Sequence, residues 1–326
     1  ITKTSGQVGG DVTILLRGTR SIYGSNEPLF IIDGIPGSYS QVSPSDIESV
    51  DVLKDASSTA IYGSAGANGV VIITTKRGKE GKVTVNFDAY YGFSGSPNYR
   101  HGMTRDEWVT YQQEAYKYKN GDYPTDMSAL LGKQDFIDAY NDGKWIDWID
   151  EVSGNTATTQ KYSLSVSSGT EKTKLFASTS YNREEGLLNN ENLNRYSLRL
   201  NLDQQIFSWA KVGFTSNLVY RDLNSGVKNT FTKSLSAIPL GDASTEKGEI
   251  NHEYITGQYS PMSDFIENQY VDNTRSTYLN MSGYVELTPV KDLTFTSRVN
   301  GTLNHSRRGQ YWGEKCNANR PSYAGS

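Results

Sequence analysis

Carboxylates and tryptophans lie together in one short segment of the chain. Asp147, Asp150 and Glu151 stand beside Trp145 and Trp148, side chains that could suggest a glycosidase. Cleavage of a glycosidic bond needs two carboxylates at a defined separation across a cleft. Three carboxylates within a single polar stretch favour a solvated structural role instead. We therefore predict no catalytic residue and no enzyme activity.

A glycine-rich run from Gly63 through Gly66 to Gly69 is a second candidate for chemistry. A phosphate-binding loop follows a strand, opens a helix and has the spacing G-x-G-x-x-G. Here the spacing differs and the order is reversed, because the run follows a helical segment and precedes an apolar, strand-like one. The run therefore predicts turns and not a nucleotide site.

Composition excludes several other kinds of site. Cys316 is the single cysteine, and the three histidines, His101, His252 and His305, show no ligand spacing. A cysteine-based zinc site and an intrachain disulfide are therefore excluded. The formal net charge is −4, from 32 basic and 36 acidic residues, so the basic footprint of a nucleic-acid-binding protein is missing. We expect no metal, no cofactor and no nucleic-acid partner.

The elements that position the remaining side chains are mostly strands. The 22 tyrosines and 31 glycines favour a β-rich protein with aromatic belts. From Val83 onward apolar residues recur with period two over lengths that suit strands crossing a membrane. We predict seven such strands, at 83–93, 160–168, 173–183, 193–205, 210–222, 273–288 and 292–305.

The clearest alternation, at 195–203, assigns the two faces of a strand. Tyr196, Leu198, Leu200 and Leu202 form the apolar row, which we expect to contact lipid. The polar row should face the lumen of a barrel. We expect the lumen-facing charged side chains to form salt bridges mostly to whatever fills the lumen; they are Arg195, Arg199, Asp203, Arg221 and Arg298.

Short and long connections alternate between the predicted strands. Tight turns at 169–171 and 289–292, and another near 207–209, alternate with the insertions 94–159 and 223–272 and the loop 184–192. A membrane barrel sorts its connections in this way, with short periplasmic turns at one rim and long extracellular loops at the other. Seven strands leave unpaired edges, which hydrocarbon does not tolerate, so we expect a portion of a longer polypeptide.

The first insertion has structure of its own. Thr104 and Glu107 form a T-x-x-E capping box that predicts the start of a helix, and a second helical stretch follows near 135–140. Aromatic residues of the loops could stack on sugars or contact a partner protein. The candidates for contact with a ligand, or with a partner protein that covers the loops as a lid, are Tyr111, Trp145, Trp148, Tyr311 and Trp312.

The first 78 residues differ from the rest and describe a small α/β unit. Short apolar segments alternate with glycine-containing turns, among them Asp33-Gly34, and a helix of about two turns is predicted at 56–62. The carboxylate of Asp33 is free to bond backbone amides, and Asp55 suits a helix N-cap. The basic run 76–82 reads as a short charged link at the periplasmic side.

The segment 46–78 closely resembles the end of the plug domain of TonB-dependent outer-membrane transporters. Its Lys54-Asp55-Ala-Ser sequence and its turn from Gly66 to Gly69 are similar to the SusC/RagA family of Bacteroidetes nutrient importers. Arg17-Gly18, the segment 28–36 and the strand 162–172 fit the same pattern. The plug signature, which we regard as structural, comprises Asp33, Gly34, Lys54, Asp55, Tyr62, Gly63, Gly66, Asn68 and Gly69.

This resemblance implies a mainly β fold. A small α/β plug (the C-terminal part of the domain, 1–78) and a linker (79–82) precede the first seven strands of a barrel of about 22 strands (83–326). It also implies TonB-dependent import of oligosaccharides across the outer membrane, with a SusD-like surface lipoprotein as lid and energy from inner-membrane proteins. Import of oligopeptides, as in the RagA branch, and a secreted all-β carbohydrate-binding protein are the alternatives.

Overall fold

The computed structural model describes residues 2–3, 7–10, 12–16, 26–55, 59–95, 101–154, 156–227 and 229–317. Its architecture is mainly β, as predicted, with a small sheet packed against one face of a large one. Arg17-Gly18, which contributed to the family resemblance, and the first part of the helix predicted at 56–62 lie outside the described residues. No helix in the described part of the chain is long and apolar enough to cross a membrane.

The small sheet forms the plug. It has four strands in the order β4-β3-β6-β5, in which β3 and β6 run parallel and the other pairs antiparallel. Phe30, Val71 and Ile73 form its buried core. The strands of this region are β1 (Thr2–Lys3), β2 (Val12–Thr13), β3 (Leu29–Ile32), β4 (Ile35–Gly37), β5 (Ile47–Leu53) and β6 (Val70–Thr75), with β1 and β2 paired separately.

Two turns of the plug follow from residue type. Asp33 and Gly34 join β3 to β4 with φ of 49° and 88°, the doubly positive combination of a two-residue type I′ hairpin loop. Of the helix predicted at 56–62, residues 56–58 lie outside the described residues, Thr59 is helical, and a 3₁₀ helix continues at Ala60–Gly66, past the predicted end. This helix is kinked where Gly63 adopts φ 58° and ψ −145°, a conformation that favours glycine.

The large sheet, called the wall below, is a seven-stranded antiparallel meander in the order β7-β8-β9-β10-β11-β14-β15. Each of its strands overlaps one segment predicted from the sequence. Its strands, with the small hairpin β12–β13 that interrupts them, are β7 (Gly81–Ser94), β8 (Ala157–Gly169), β9 (Thr173–Glu185), β10 (Asn192–Phe207), β11 (Ala210–Asn224), β12 (Glu253–Ile255), β13 (Gln258–Tyr259), β14 (Tyr270–Val290) and β15 (Leu293–Trp312).

The connections of the wall alternate in length. Residues 170–172, 208–209 and 291–292 make tight turns at one end, whereas 95–156, 186–191 and 225–269 make the longer connections at the other. The last strand extends to Trp312, beyond the end predicted at 305, because its pairing with β14 continues up to the partners Tyr270 and Trp312. Tyr311 and Trp312 therefore lie at the end of a strand and not in a loop.

The two long connections fold together into one unit, called the loop cap below (101–154 and 229–269). Its helices are α1 (Arg105–Asn120), α2 (Met127–Leu131), α3 (Gln134–Asn141), α4 (Trp148–Ser153) and α5 (Thr230–Ser236), with a 3₁₀ helix at Pro261–Phe265. The predicted capping box is confirmed: the Thr104 side chain accepts from the Glu107 amide, and the Glu107 carboxylate accepts from the Thr104 amide at 2.8 Å. This bond lowers the pKa of the Glu107 carboxyl.

The core of the loop cap joins both connections. Phe136 and Trp148 from the first pack with Leu240 and Tyr254 from the second. The rings of Trp148 and Tyr254 meet edge to face with centroids 4.6 Å apart. The indole of Trp148 donates to the Ile238 carbonyl at 2.9 Å. Burial raises the pKa of the Tyr254 hydroxyl.

Candidate functional site

The two faces of the wall differ in the way predicted for β10. Tyr196, Leu198, Leu200 and Leu202 are exposed, with Leu198 at 55%. On the opposite face Arg199, Asn201 and Asp203 are buried beneath the plug. The predicted division of β10 into an apolar row and a polar row is confirmed, whereas contact of the apolar row with lipid stays a prediction. The polar face of the wall together with the plug forms the candidate site.

Asp33 is the main contact between plug and wall. Its carboxylate accepts from the Thr75 amide at 3.0 Å and from the Thr75 hydroxyl at 2.6 Å, which ties the β3–β4 hairpin to the end of β6. The same carboxylate pairs with the guanidinium of Arg199 from β10, and their side chains are only 10% and 2% exposed. Arg298 of β15 donates to the Asp33 carbonyl at 2.9 Å. One turn residue therefore anchors the plug to two strands of the wall.

A second contact lies where the plug continues into the wall. Arg77 pairs with Asp203 at 3.3 Å, and the Tyr284 hydroxyl donates to the same carboxylate at 2.7 Å. The Asn201 amide donates to the Lys76 carbonyl at 2.7 Å. Residues 76–80 join β6 to β7, so these bonds hold the link against the inner face of the wall.

A third contact involves the two 3₁₀ helices between β4 and β5, Tyr39–Gln41 and Pro44–Asp46. The Asn217 amide donates to the Gln41 carbonyl at 2.8 Å. Burial raises the pKa of the Asp46 carboxyl, while a hydrogen bond from Ser178 and the charge of Arg199 oppose the shift. A buried acid thus faces the wall without an ion-pair partner within 4 Å among the described residues.

A cavity of about 1140 Å³ separates plug and wall beside these contacts. Its plug side includes Tyr39 and Ser43, and its wall side includes Lys161, Arg195 and Arg221. Among the residues described, no group of three or more His, Cys, Asp or Glu is arranged to hold a metal ion. Charged side chains of both signs line the cavity together with apolar surface, and Glu184 lies there beside the basic residues.

The plug signature residues do not form a single site. Gly66, the last residue of the 3₁₀ helix, and Gly69, the residue before β6, are both buried. The Gly69 amide donates to the Gly66 carbonyl at 2.9 Å. The Asn68 amide donates to the Glu27 carbonyl at 3.4 Å. The Asp55 carbonyl accepts from the Thr59 amide at 3.1 Å.

Lys54 is exposed and Tyr62 half-buried. Gly34 lies close to Arg298, because a Cβ at that position would be 3.2 Å from the Arg298 Nη1. Of the plug signature, therefore, the Asp33-Gly34 turn is the part that the structure places against the wall.

The predicted contact aromatics are spread over the loop cap and the end of β15. Tyr111 on α1 is exposed, and Trp145, partly exposed, donates its indole N–H to the Met103 carbonyl at 3.2 Å. Trp148 is 2% exposed and belongs to the core of the loop cap, which corrects its assignment as a surface contact. Tyr311 and Trp312 are exposed at the end of β15.

Comparisons with known proteins agree with this architecture. The family described as TonB-dependent Receptor Plug Domain matches residues 1–70. The TonB-dependent receptor P26 of Formosa agariphila is 30% identical over 95% of this chain and 31% of its own length. The TonB-dependent receptor SusC of Bacteroides thetaiotaomicron is 32% identical over 64% of this chain and 20% of its own.

A solved structure extends the likeness. The RagAB peptide importer in its closed-closed state matches with a TM-score of 0.79 and 27% identity, over 94% of this chain and 38% of that one. The plug and the wall that it contacts are similar to those of TonB-dependent receptors. Among these proteins the chain resembles SusC and the RagAB importer, as its signature predicted. The chain spans 31% or less of the length of the curated relatives named in these comparisons, each of which is described as a TonB-dependent receptor.

Proposed function

We propose that the protein takes part in TonB-dependent import of oligosaccharides across the outer membrane. The contact of Asp33 with Arg199 and Arg298 carries this proposal. A plug held by a buried ion pair blocks the space it fills, and removal of one partner from such a pair is strongly unfavourable. Movement of the plug therefore needs an energy input, which TonB and inner-membrane proteins would supply.

The choice of oligosaccharide rests on the SusC-type sequence signature. Oligopeptide import is the alternative, and it has its own support, since 94% of this chain matches 38% of the RagAB peptide importer. The cavity between plug and wall suits either cargo, because hydroxyl, amide and charged side chains line it together with apolar surface.

We propose the loop cap as the extracellular part of the molecule, where a SusD-like lipoprotein would lie. Exposed Tyr111 and Trp145 on this unit, and exposed Tyr311 and Trp312 at the adjoining strand end, are the proposed contacts with ligand or lid. Protease added to intact cells should then cleave within 94–159 and 223–272. The turns at 169–171 and 289–292 should stay intact until the outer membrane is breached. Cleavage at these turns in intact cells would contradict the proposed topology.

Uptake by cells tests the transport proposal. Cells with and without the gene would receive fluorescent oligosaccharides or fluorescent oligopeptides in separate assays, each with and without depletion of TonB. We expect oligosaccharide uptake that needs both the gene and TonB. Uptake of peptides alone would support oligopeptides as the cargo. Uptake that is unaffected both by loss of the gene and by depletion of TonB would refute the proposal.

A further inference from the structure

Two arginines lie side by side on the inner face of the wall. Arg195 of β10 and Arg221 of β11 are directly opposite each other in the antiparallel register. Their next neighbours across the sheet are Asn182 on β9 and Ser276 on β14, which carry no charge. Like charges directly opposite each other destabilise a pair of strands unless something compensates them.

The described residues give neither arginine a close counter-charge. Neither Arg195 nor Arg221 has an ion-pair partner within 4 Å among them, whereas Arg199, four residues further along β10, is paired with Asp33. The Nε and Nη2 atoms of Arg195 are buried and have no hydrogen-bond partner in the described part of the chain. Glu184 and Asp46 act on Arg195 electrostatically but lie beyond ion-pair distance.

Both arginines line the cavity of about 1140 Å³ between plug and wall. Ser43 from the plug and Asn182 from β9 line it too, which adds a hydroxyl and an amide to the two guanidinium groups. Guanidinium groups bind carboxylate and sulfate oxygens through paired, charge-assisted hydrogen bonds. Glu27, Asp88 and Glu184 also line the cavity, but neither arginine has an ion pair within 4 Å among the described residues. A solute with such a group would supply that missing ion pair.

We propose that Arg195 and Arg221 form a clamp for an anionic group, a carboxylate or a sulfate, on the imported molecule. This inference rests on the proposed function, and it specifies that the cargo, or part of it, is acidic. The clamp would hold the cargo where the plug meets the wall, below the loop cap. Because Ser43 belongs to the plug, displacement of the plug would remove part of the site and release the anion.

Binding of small anions to the purified full-length transporter tests the clamp without knowledge of the cargo. Selenate is the probe, because its anomalous scattering marks its position in a crystal and its affinity can be titrated at constant ionic strength. We expect a selenate peak between Arg195 and Arg221. The variant R195Q/R221Q should bind selenate roughly tenfold or more weakly, the loss expected for a charge-assisted hydrogen bond.

The matched control is Arg307→Gln, which removes an exposed arginine from β15, outside the cavity. This variant should bind selenate like the wild type. A second readout is thermal stability in buffer of weakly binding anions. R195Q should unfold at the same temperature as the wild type or above it, because it removes an unpaired charge, whereas R199Q should unfold lower.

Two carboxylated probes decide whether the site takes the anionic group of an organic cargo. Glucuronate or acetyl-dialanine should compete with selenate, whereas their neutral amides should not. Competition by neither acid would show a site for a free inorganic anion only and would overturn the proposal, as would the absence of saturable selenate binding. None of these assays measures uptake. A negative result for anion binding would therefore not contradict the transport proposal, and a negative uptake result would not prevent measurement of anion binding.

Discussion

Substitution of Asp33 by Asn tests whether the buried ion pair holds the plug. Asparagine tolerates the positive φ of 49° at this position and keeps an oxygen for the Thr75 amide, so the hairpin should persist. Arg199, 2% exposed, loses its counter-charge. Removal of one partner of a buried pair costs about 3–5 kcal/mol. Contact with Arg298 remains, so we expect a value near the lower end.

Hydrogen exchange of β6 in the full-length protein measures this loss. A free-energy change of about 3 kcal/mol corresponds to roughly a hundredfold faster exchange, since each 1.36 kcal/mol is about tenfold. Exchange within 70–75 should accelerate by that factor in D33N. The double variant D33N/R199M should recover most of the protection, because an apolar side chain of similar volume carries no charge to leave unpaired.

The exposed pair of Lys79 and Glu48 provides the control. Its side chains are 73% and 42% exposed, and pairs of this kind contribute about 0–1 kcal/mol. Glu48→Gln should therefore change exchange of β6 by less than about tenfold. Equal effects of D33N and E48Q, or a double variant that exchanges faster than D33N, would refute the reasoning that burial of the charge dominates.

Three further predictions concern the rest of the molecule. Leu200→Arg places a charge on the outer face of β10 and should lower the unfolding free energy in lipid vesicles by roughly 2–4 kcal/mol if residue 200 lies near the bilayer midplane. A change near zero would show that the lipid-facing and lumen-facing sides are assigned the wrong way round. The pKa of Glu107 is lower in the folded state than its ordinary value of 4.5, so its capping contribution is present above that value and lost as pH falls below it. The protection of the amides at the start of α1, relative to their intrinsic exchange rates, should therefore fall as pH drops below that value, and Glu107→Gln, which removes the titrating group, should abolish this pH dependence. Trp148→Ala should destabilise the loop cap by roughly 3–5 kcal/mol in thermal unfolding, whereas exposed Tyr111→Ala should stay within about 0.5 kcal/mol, and similar effects would contradict the core assignment.

Much of the wall could be predicted from local pattern. Alternation with period two assigned the faces of β10 correctly, because side chains of a strand point to opposite sides in turn. The capping box at Thr104 placed the start of α1 within one residue, since both partners lie in one helical turn. The mainly β fold and the SusC/RagA-like class followed from such local features and from the signature at 46–78.

Some details of local structure differed where tertiary contacts decide. Residues 60–66 form a 3₁₀ helix kinked at Gly63. Glycine permits a positive φ there, a backbone conformation that helix propensity does not predict. Strand β15 continues seven residues past its predicted end because β14 supplies hydrogen-bond partners there. Trp148 looks like a surface aromatic in sequence, but the second long connection covers it.

The sequence by itself determined which side chains share a face, because that depends only on the repeat of the backbone. It named Asp33 as a turn carboxylate and Arg199 as a lumen residue expected to pair with the plug, but not with each other. Only the tertiary structure joined this pair across 166 positions, left Arg195 opposite Arg221, and opened a cavity beside them. Pairing of distant charges depends on strand register and on how the plug seats against the wall, and neither is encoded in any single segment.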